Sequence, residues 1–244
     1  MTPGIYENIP DPDYRAIDAV SNSGLDAWLR GPGKKSSGRF FLVGSVLHAM
    51  VLEGMDATMA RYETAEEEFK LNTKIGKRYL AEYKATGKEI IKPSEWTSIC
   101  GMYEAVMRHE DARRIIDDMQ RTELTVIGQQ DGFEALCKCR IDAECSNVIA
   151  DLKTTHCLNE VMFEDSFTRY GYNVQAAYYA DLYKTVSNKE MPFVFICVSS
   201  VTPHPVWISY VTPSQMASGR QYYQAMLKLY ERYEIPAKKG EEVA

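Results

Sequence analysis

Two acidic residues and a lysine lie close together between Glu134 and Lys153, a stretch that alternates like two strands joined by a turn. Successive side chains of a strand point to opposite faces, so Asp142 lies on the polar face of the first strand. By the same rule Asp151 and Lys153 share one face of the second strand, together with Ile149. If the polar faces coincide, two carboxylates and an amine meet on the sheet. The predicted apolar faces are Ala135, Cys137, Cys139 and Ile141 in the first strand and Val148, Ala150 and Leu152 in the second, with Glu144–Asn147 as the turn.

Such a group of polar residues suits the hydrolysis of a phosphodiester. Hard cations such as Mg²⁺ take oxygen ligands, commonly one or two carboxylates together with water and substrate phosphate. A bound metal ion polarises the phosphoryl oxygen and lowers the pKa of a coordinated water, while an ammonium group offsets the charge that develops on the phosphate. The alternative interpretation is an exposed hairpin whose polar face is only solvated.

Three segments of the sequence resemble motifs of the PD-(D/E)XK nuclease superfamily. Asp142 with Asp151-Leu152-Lys153 resembles its D…(D/E)xK core, and Gln175 with Tyr179 resembles the QxxxY helix of its RecB-like branch. The segment from Phe41 to Glu53, which contains Gly44 and His48, resembles the GxxxHxxxxE motif of that branch, in the form found in exonuclease VIII-type phage recombination nucleases. The motifs occur in the family's order and span roughly residues 14–185.

The resemblance implies a role for each matching residue. His48, Asp142 and Asp151 would hold one or two Mg²⁺ ions, with Mn²⁺ as an expected substitute, and the carbonyl of Leu152 would add a ligand. Lys153 would position the attacking water. Gln175 and Tyr179 would orient the DNA strand and the catalytic groups.

The resemblance also implies how such an enzyme works. It implies 5′→3′ digestion of one strand from a duplex DNA end, a ring-shaped homo-oligomer and a single-strand-annealing recombinase as partner. We therefore predict a metal-dependent DNA exonuclease of recombination or phage DNA metabolism. The alternatives are a structure- or sequence-specific endonuclease of the same superfamily and a non-catalytic module that binds DNA or zinc.

Spacing alone leaves other roles open for several acidic and aromatic residues. A lone histidine on an amphipathic helix, as His48 would be, is more often structural than a metal ligand. Glu53 has an alternative role as a local cap or ion-pair partner. Glu134 lies roughly 26 Å from Asp142 along an extended strand, so both cannot bind one metal ion. Gln175 and Tyr179 are an i, i+4 pair, and such a stripe also packs commonly against a sheet.

The six cysteines permit one competing metal site. A disulfide framework is typical of small secreted domains, so reduced thiols are expected in this chain of 244 residues. Structural zinc sites use Cys pairs separated by two to four residues, whereas Cys137 and Cys139 are closer than that. The candidate zinc ligands are Cys137, Cys139, Cys145, His156 and Cys157.

Composition and charge bound the class of protein. The chain is 45% hydrophobic and 25% charged, typical of a globular domain, and no apolar run is long enough to span a membrane. Without a basic flank and apolar segment at the N-terminus we expect no signal peptide and a cytoplasmic location. The net charge of −6 is unfavourable for DNA binding. The segment from Arg30 to Arg39 has four basic residues and no acidic one, and it is either a surface loop or a phosphate-contacting loop.

The pattern of elements predicts one α/β domain, residues 1–244, with a central mixed sheet flanked by helices. Residues 1–120 are predicted to be mainly helical, residues 121–235 to hold the catalytic sheet and its helices, and residues 236–244 to be a frayed tail. Three prolines argue against a helix within residues 1–20. The helix bearing His48 is predicted to begin near Gly44, and the last helix to end near Tyr233.

Overall fold

A six-stranded mixed sheet forms the centre of the protein. A computed structural model describes residues 1–31, 38–70 and 72–239. The strand order is β1-β4-β5-β6-β7-β8, and every neighbouring pair is antiparallel except β6 and β7, which are parallel. The strands are β1 (Gly4–Tyr6), β4 (Met119–Gln129), β5 (Leu136–Cys145), β6 (Ile149–Thr155), β7 (Phe193–Ser199) and β8 (Val206–Tyr210), and a separate parallel pair consists of β2 (Tyr62–Thr64) and β3 (Glu89–Ile91).

Helices cover both faces of this sheet. The helices are α1 (Asp11–Ala16), α2 (Asn22–Arg30), α3 (Arg39–Leu52), α4 (Met55–Arg61), α5 (Lys74–Thr86), α6 (Pro93–Arg108), α7 (Glu110–Asp117), α8 (Glu160–Arg169), α9 (Tyr172–Ser187) and α10 (Pro213–Lys239). One core layer packs α2, α8, α9 and α10 against the sheet, and the other packs α3, α6 and α7 against its opposite face. The predicted α/β class, with a mixed sheet between helices, is confirmed. No helix among the described residues is both long and apolar enough to cross a bilayer.

The parallel pair β6 and β7 determines the connection that carries the Gln–Tyr motif. Parallel neighbours need a crossover connection, and here α8 and α9 supply it. Asn159 caps α8 by accepting a hydrogen bond from the backbone N–H of Met162 at 2.9 Å. The crossover places Gln175 and Tyr179 on α9, in the helical layer that covers β6.

β5 and β6 lie where the two strands were predicted, but β5 continues through Glu144 and Cys145, which were predicted to be in the turn, and one face changes. Cys137, Cys139 and Ile141 lie together in the core layer of α9, as predicted. Ala143 and Cys145 belong to the opposite layer, so the alternation along β5 reverses after Ile141. A single continuous polar face therefore does not form.

The N-terminal residues are more regular than predicted. β1 pairs with β4, and α1 forms despite three nearby prolines. Pro12 lies in the first turn of α1, where a backbone N–H has no intrahelical partner in any case, so the proline is tolerated.

Helix α3 begins earlier than predicted, at Arg39 rather than near Gly44. The side chain of Arg39 anchors its first turn, because the guanidinium donates to the carbonyl of Ile90 at 2.9 Å and pairs with Glu95. Helix α10 runs to Lys239, beyond the predicted end near Tyr233, so residues 236–239 are helical rather than frayed. Residues 32–37 of the predicted basic loop and residues 240–244 of the predicted tail lie outside the described residues.

Helices α9 and α10 approach each other closely at one glycine. A Cβ added to Gly219 would lie 2.0 Å from the carbonyl oxygen of Asn173, which is backbone and cannot move aside alone. In α3, a Cβ at Gly44 would meet nothing closer than 3.9 Å.

These two glycines give a matched stability test. Replacing glycine with alanine inside a helix ordinarily stabilises by about 1 kcal/mol, and we expect that sign for Gly44→Ala. Gly219→Ala should instead destabilise by about 2 kcal/mol or more, because the backbones must separate. Urea denaturation of both variants measures the difference, and equal stabilisation by the two substitutions would contradict the close approach.

Candidate active site

The candidate site lies where β5 and β6 separate. The two strands pair at only two positions, Ala143 with Ala150 and Glu144 with Ile149. Asp142 is the first residue beyond that pairing, and its Oδ2 accepts a hydrogen bond from the backbone N–H of Leu152 at 2.9 Å. A side-chain carboxylate thus takes the place of a strand partner. This bond holds Asp142 in the gap, beside the segment that carries Asp151 and Lys153.

His48 joins this gap from α3. Its Nε2 lies 2.5 Å from Oδ2 of Asp142, and its Nδ1 lies 3.1 Å from Oε1 of Glu123. Burial by itself lowers the pKa of His48, but the two carboxylates outweigh burial and raise this pKa to about 10. The positive imidazolium in turn lowers the pKa of Asp142 against the opposing effect of burial. A cationic ring therefore lies between two anions.

Glu123 reaches this position through an unusual backbone. Its flanking residues on β4 pair with the residues on either side of Asp142, Thr122 with Ala143 and Leu124 with Ile141. Glu123 itself has φ 52°, in the left-handed region that residues with a Cβ avoid. The local backbone distortion accompanies the reversal of alternation on β5, and it brings the Glu123 carboxylate to the imidazole.

The donor set of these three residues fits a divalent metal ion. Within residues 1–31, 38–70 and 72–239, His48, Glu123 and Asp142 are the one group of His, Cys, Asp or Glu whose ligand atoms all lie within 4.8 Å of one another. Two carboxylates suit hard cations, and an imidazole beside them suits first-row transition metals such as Mn²⁺. These residues would hold the metal ion, and His48 must first release a proton from the coordinating nitrogen.

Asp151 and Lys153 form the second half of the site. Asp151 is 2% exposed, and its Oδ2 lies 2.6 Å from Nζ of Lys153. Its Oδ1 accepts a hydrogen bond from Nε2 of Gln175 at 2.5 Å. Burial and the charge of Asp142 raise the pKa of Asp151 to about 6, although Lys153 acts in the opposite sense. Asp142 and Asp151 therefore lie near enough to interact electrostatically.

Lys153 remains an ammonium in this environment. Burial opposes its charge, but Asp151 and Asp142 outweigh burial and raise the pKa of Lys153. Its Nζ also lies 5.5 Å from the ring centre of Tyr172 and 5.6 Å from that of Phe195. The predicted amine is thus charged and held against aromatic rings in the α9 layer.

The structure brings most of the predicted residues together, but not all in the expected grouping. Asp151 is not part of the three-residue ligand group, so its predicted role as a metal ligand stays a prediction. The N–H of Leu152 contacts Asp142, whereas the role of its carbonyl also stays a prediction. Tyr179 packs against the core with its ring 6.3 Å from that of Phe193, and burial raises its pKa well above the usual value.

Two acidic residues of uncertain role have other partners. Glu53 pairs with Arg61 at 2.6 Å, which is the local ion pair that its spacing allowed. The backbone N–H of Glu134, just before β5 begins, donates to the carboxylate of Glu231 at 2.6 Å.

The cysteines do not assemble into the alternative zinc site within the described residues. Cys137 and Cys139 lie in the core layer of α9, whereas Cys145 lies in the layer of α3. Since the sheet separates them, these thiolates cannot share one ion. All six cysteines are free thiols, and burial raises the pKa of Cys137 to about 11.

Glu123 is the site residue that the sequence motifs did not reveal. In the structure the hairpin of β4 and β5 pairs Gln129 with Leu136. Counting back along both strands from that pair places Glu123 opposite Asp142. The longer connection at residues 130–135 sets this register, so the sequence motifs revealed neither the position of Glu123 nor its left-handed backbone.

Comparisons with known proteins agree with this architecture. A family model described as "PDDEXK-like domain of unknown function (DUF3799)" matches residues 14–241. A crystal structure from Eubacterium rectale, named "Putative exonuclease", superposes with a TM-score of 0.65 at 16% identity, covering 97% of this chain and 89% of that chain. At this identity the superposition shows a common fold. No curated protein sequence matches the chain.

Substituting Glu123 tests the ligand group directly. Glu123→Gln removes one anionic ligand while keeping the size of the side chain, so we expect Mn²⁺ affinity to fall about tenfold or more. Titration calorimetry with Mn²⁺ measures the change. Glu53→Gln is the matched control, because it removes a neighbouring charge outside the group and should leave the affinity nearly unchanged. An equal loss in both variants would show that charge alone matters, and no loss at Glu123 would remove it from the ligand set.

Proposed function

The chain belongs to the PDDEXK-like domain family DUF3799, and on that premise we propose that it is a metal-dependent deoxyribonuclease. One observation carries the proposal: Asp142, with His48 beside it, and the Asp151–Lys153 ion pair meet where β5 and β6 separate. This arrangement provides anionic ligands, a neighbouring ammonium and an opening in the sheet at one place.

The chain's own residues then have distinct tasks. A divalent cation such as Mg²⁺ or Mn²⁺, when bound, would polarise the phosphate and acidify a water molecule. His48, Glu123 and Asp142 would hold that cation, and Asp151 would complete its surroundings. Nζ of Lys153 would donate a hydrogen bond to the attacking water and offset negative charge on the phosphate.

Gln175 and Tyr179 would act on the substrate side of these groups. The hydrogen bond from Gln175 fixes the orientation of Asp151, whose other oxygen meets Lys153. Tyr179 keeps its proton because burial raises its pKa, so its hydroxyl would serve as a hydrogen-bond donor to the DNA strand.

Within this class we propose an exonuclease that acts at duplex DNA ends in the 5′→3′ direction. The exonuclease VIII-type arrangement of the sequence motifs supports this choice, and so does the name carried by the Eubacterium rectale protein. By the same resemblance we propose a homo-oligomeric ring and a single-strand-annealing recombinase as partner.

Digestion of matched DNA substrates tests the proposed activity. We expect Mg²⁺ to support degradation of a linear duplex labelled at one 5′ end, and EDTA to abolish it. A covalently closed circle of the same sequence should remain intact. Cleavage of the circle would indicate an endonuclease instead, and absence of any metal-dependent cleavage would favour a non-catalytic module.

Variants of the ion pair and its neighbour test the mechanism. Asp142→Asn and Lys153→Ala should each lower the turnover of the linear duplex by about 10²-fold or more, because each removes charge needed in the transition state. Asp165→Asn, an exposed acid on α8, is the control and should keep normal activity. Thermal melts of all three proteins separate lost chemistry from lost folding. Normal turnover in the folded Lys153→Ala protein would remove that amine from the mechanism.

A further inference from the structure

A cleft of about 690 Å³ adjoins the candidate active site. One side of α2, the end of α8, the first turn of α9 and one side of α10 form its walls. Gln175, which donates to Asp151, is part of the wall, so one side chain links the cleft to the site. Its volume lies within the range of small-molecule sites. The wall residues used below are Arg169, Tyr170, Asn173 and Tyr222.

Two exposed tyrosines give this cleft surfaces for stacking. Tyr170 is 65% exposed and Tyr222 is 42% exposed, which is unusual for large aromatic rings. The ring of Tyr170 lies 5.9 Å from the ring of Tyr172. The Tyr172 ring in turn lies 5.5 Å from Nζ of Lys153. Two neighbouring rings therefore lead from the cleft to the catalytic lysine. Aromatic side chains in this setting stack on nucleobases of any sequence.

The same cleft has a cationic side. Arg169 is exposed and forms no ion pair with any described residue, whereas Arg30 on the facing wall is paired with Asp26 at 2.6 Å. Helix α9 begins at the cleft with Gly171 as its N-cap, and no side chain caps its first N–H groups. A helix start without a side-chain cap and an unpaired guanidinium both favour a phosphate.

Unpartnered amide oxygens in the wall point to more than a phosphate. Asn173 is 7% exposed, and its Nδ2 donates to the hydroxyl of Ser218 at 3.0 Å. That hydroxyl donates its own hydrogen to the carbonyl of Gln215, so the network fixes Oδ1 of Asn173 as the free atom. Oδ1 of Asn173 has no hydrogen-bond partner, and neither does Oδ1 of Asn22. Both oxygens expose almost no surface, so a ligand N–H would have to enter the wall to reach them, which a base edge could supply and a phosphate could not.

We propose that this cleft binds one unstacked nucleotide of the substrate strand, next to the phosphate that is cleaved. The base lies against Tyr170 and Tyr222, and its phosphate lies toward Arg169 and the start of α9. This inference deepens the proposed nuclease function and rests on it for the identity of the ligand. It implies that the terminal base pair of a duplex opens before cleavage.

Binding in the absence of metal tests the subsite separately from catalysis. A fluorescein-labelled single strand is titrated with the protein in EDTA, and a single abasic residue is moved through the strand one position at a time. With the wild-type protein we expect one abasic position to weaken binding about tenfold, the size of one lost stacking interaction. Equal binding of the intact strand and every abasic strand would overturn the proposal.

Variants of the two tyrosines test whether the weaker binding of the abasic strand arises in the cleft. In Tyr170→Ala and Tyr222→Ala the intact strand should bind about tenfold more weakly, and the abasic residue should cause little further loss. Tyr210→Ala is the control, since Tyr210 is 66% exposed on β8 and outside the cleft. If the abasic residue weakens binding equally in the tyrosine variants and the wild type, the base does not occupy this cleft.

A charge variant and the cleavage assay complete the test. Arg169→Ala should weaken binding of intact and abasic strands by the same factor and reduce the salt dependence of binding. Unchanged binding and salt dependence would remove the phosphate from the proposed position. Base-dependent binding without Mg²⁺-dependent cleavage would support the subsite and reject the nuclease. Mg²⁺-dependent cleavage without base-dependent binding would support the nuclease and reject the subsite.

Discussion

The hydrogen bond from the backbone N–H of Leu152 to the carboxylate of Asp142 is the interaction on which the site depends. Two antiparallel strands normally form backbone hydrogen bonds with each other. Here the pairing of β5 and β6 ends at Ala143 and Ala150, so Asp142 lies just outside it. A buried N–H without a partner is costly, so the carboxylate both satisfies the backbone and is fixed by it. The opening that results admits side chains from the helical layers on both faces. Without that separation, His48 from α3 and Gln175 from α9 could not meet the same pair of acids.

Charge alternates through the buried part of the site. Glu123 and Asp142 flank the imidazolium of His48, and Asp151 is paired with Lys153. Isolated charges would be very unfavourable at this depth, and each is compensated by a neighbour of opposite sign. The raised pKa of His48 and the lowered pKa of Asp142 both result from the electrostatic attraction between the imidazolium and the carboxylate. The imidazolium provides the positive charge that a divalent ion would bring, so binding of a metal ion would exchange a proton for a cation.

The sequence predicted the sheet and the acidic strands well because alternation and turn residues are local signals. Asp142, Asp151 and Lys153 followed from the strand period, but their exact faces did not. The alternation on β5 reverses after Ile141, opposite the distorted backbone of Glu123, and no local propensity predicts this reversal. His48 was accessible only through its resemblance to a motif, since 94 residues separate it from Asp142. The helix α1 was missed because the prolines were counted without regard to their position in the first turn.

The backbone conformation of Glu123 also has a consequence for which residues are expected at this position in homologues. At φ 52° a residue with a Cβ costs about 1 kcal/mol or more relative to glycine, so the protein gives up stability to place a carboxylate there. If Glu123 holds a metal ion as proposed, the need for that carboxylate offsets this cost. A descendant released from that need would gain stability by drifting to glycine at position 123. Glycine there, in a homologue that keeps the rest of the sheet, would indicate that the carboxylate is no longer required.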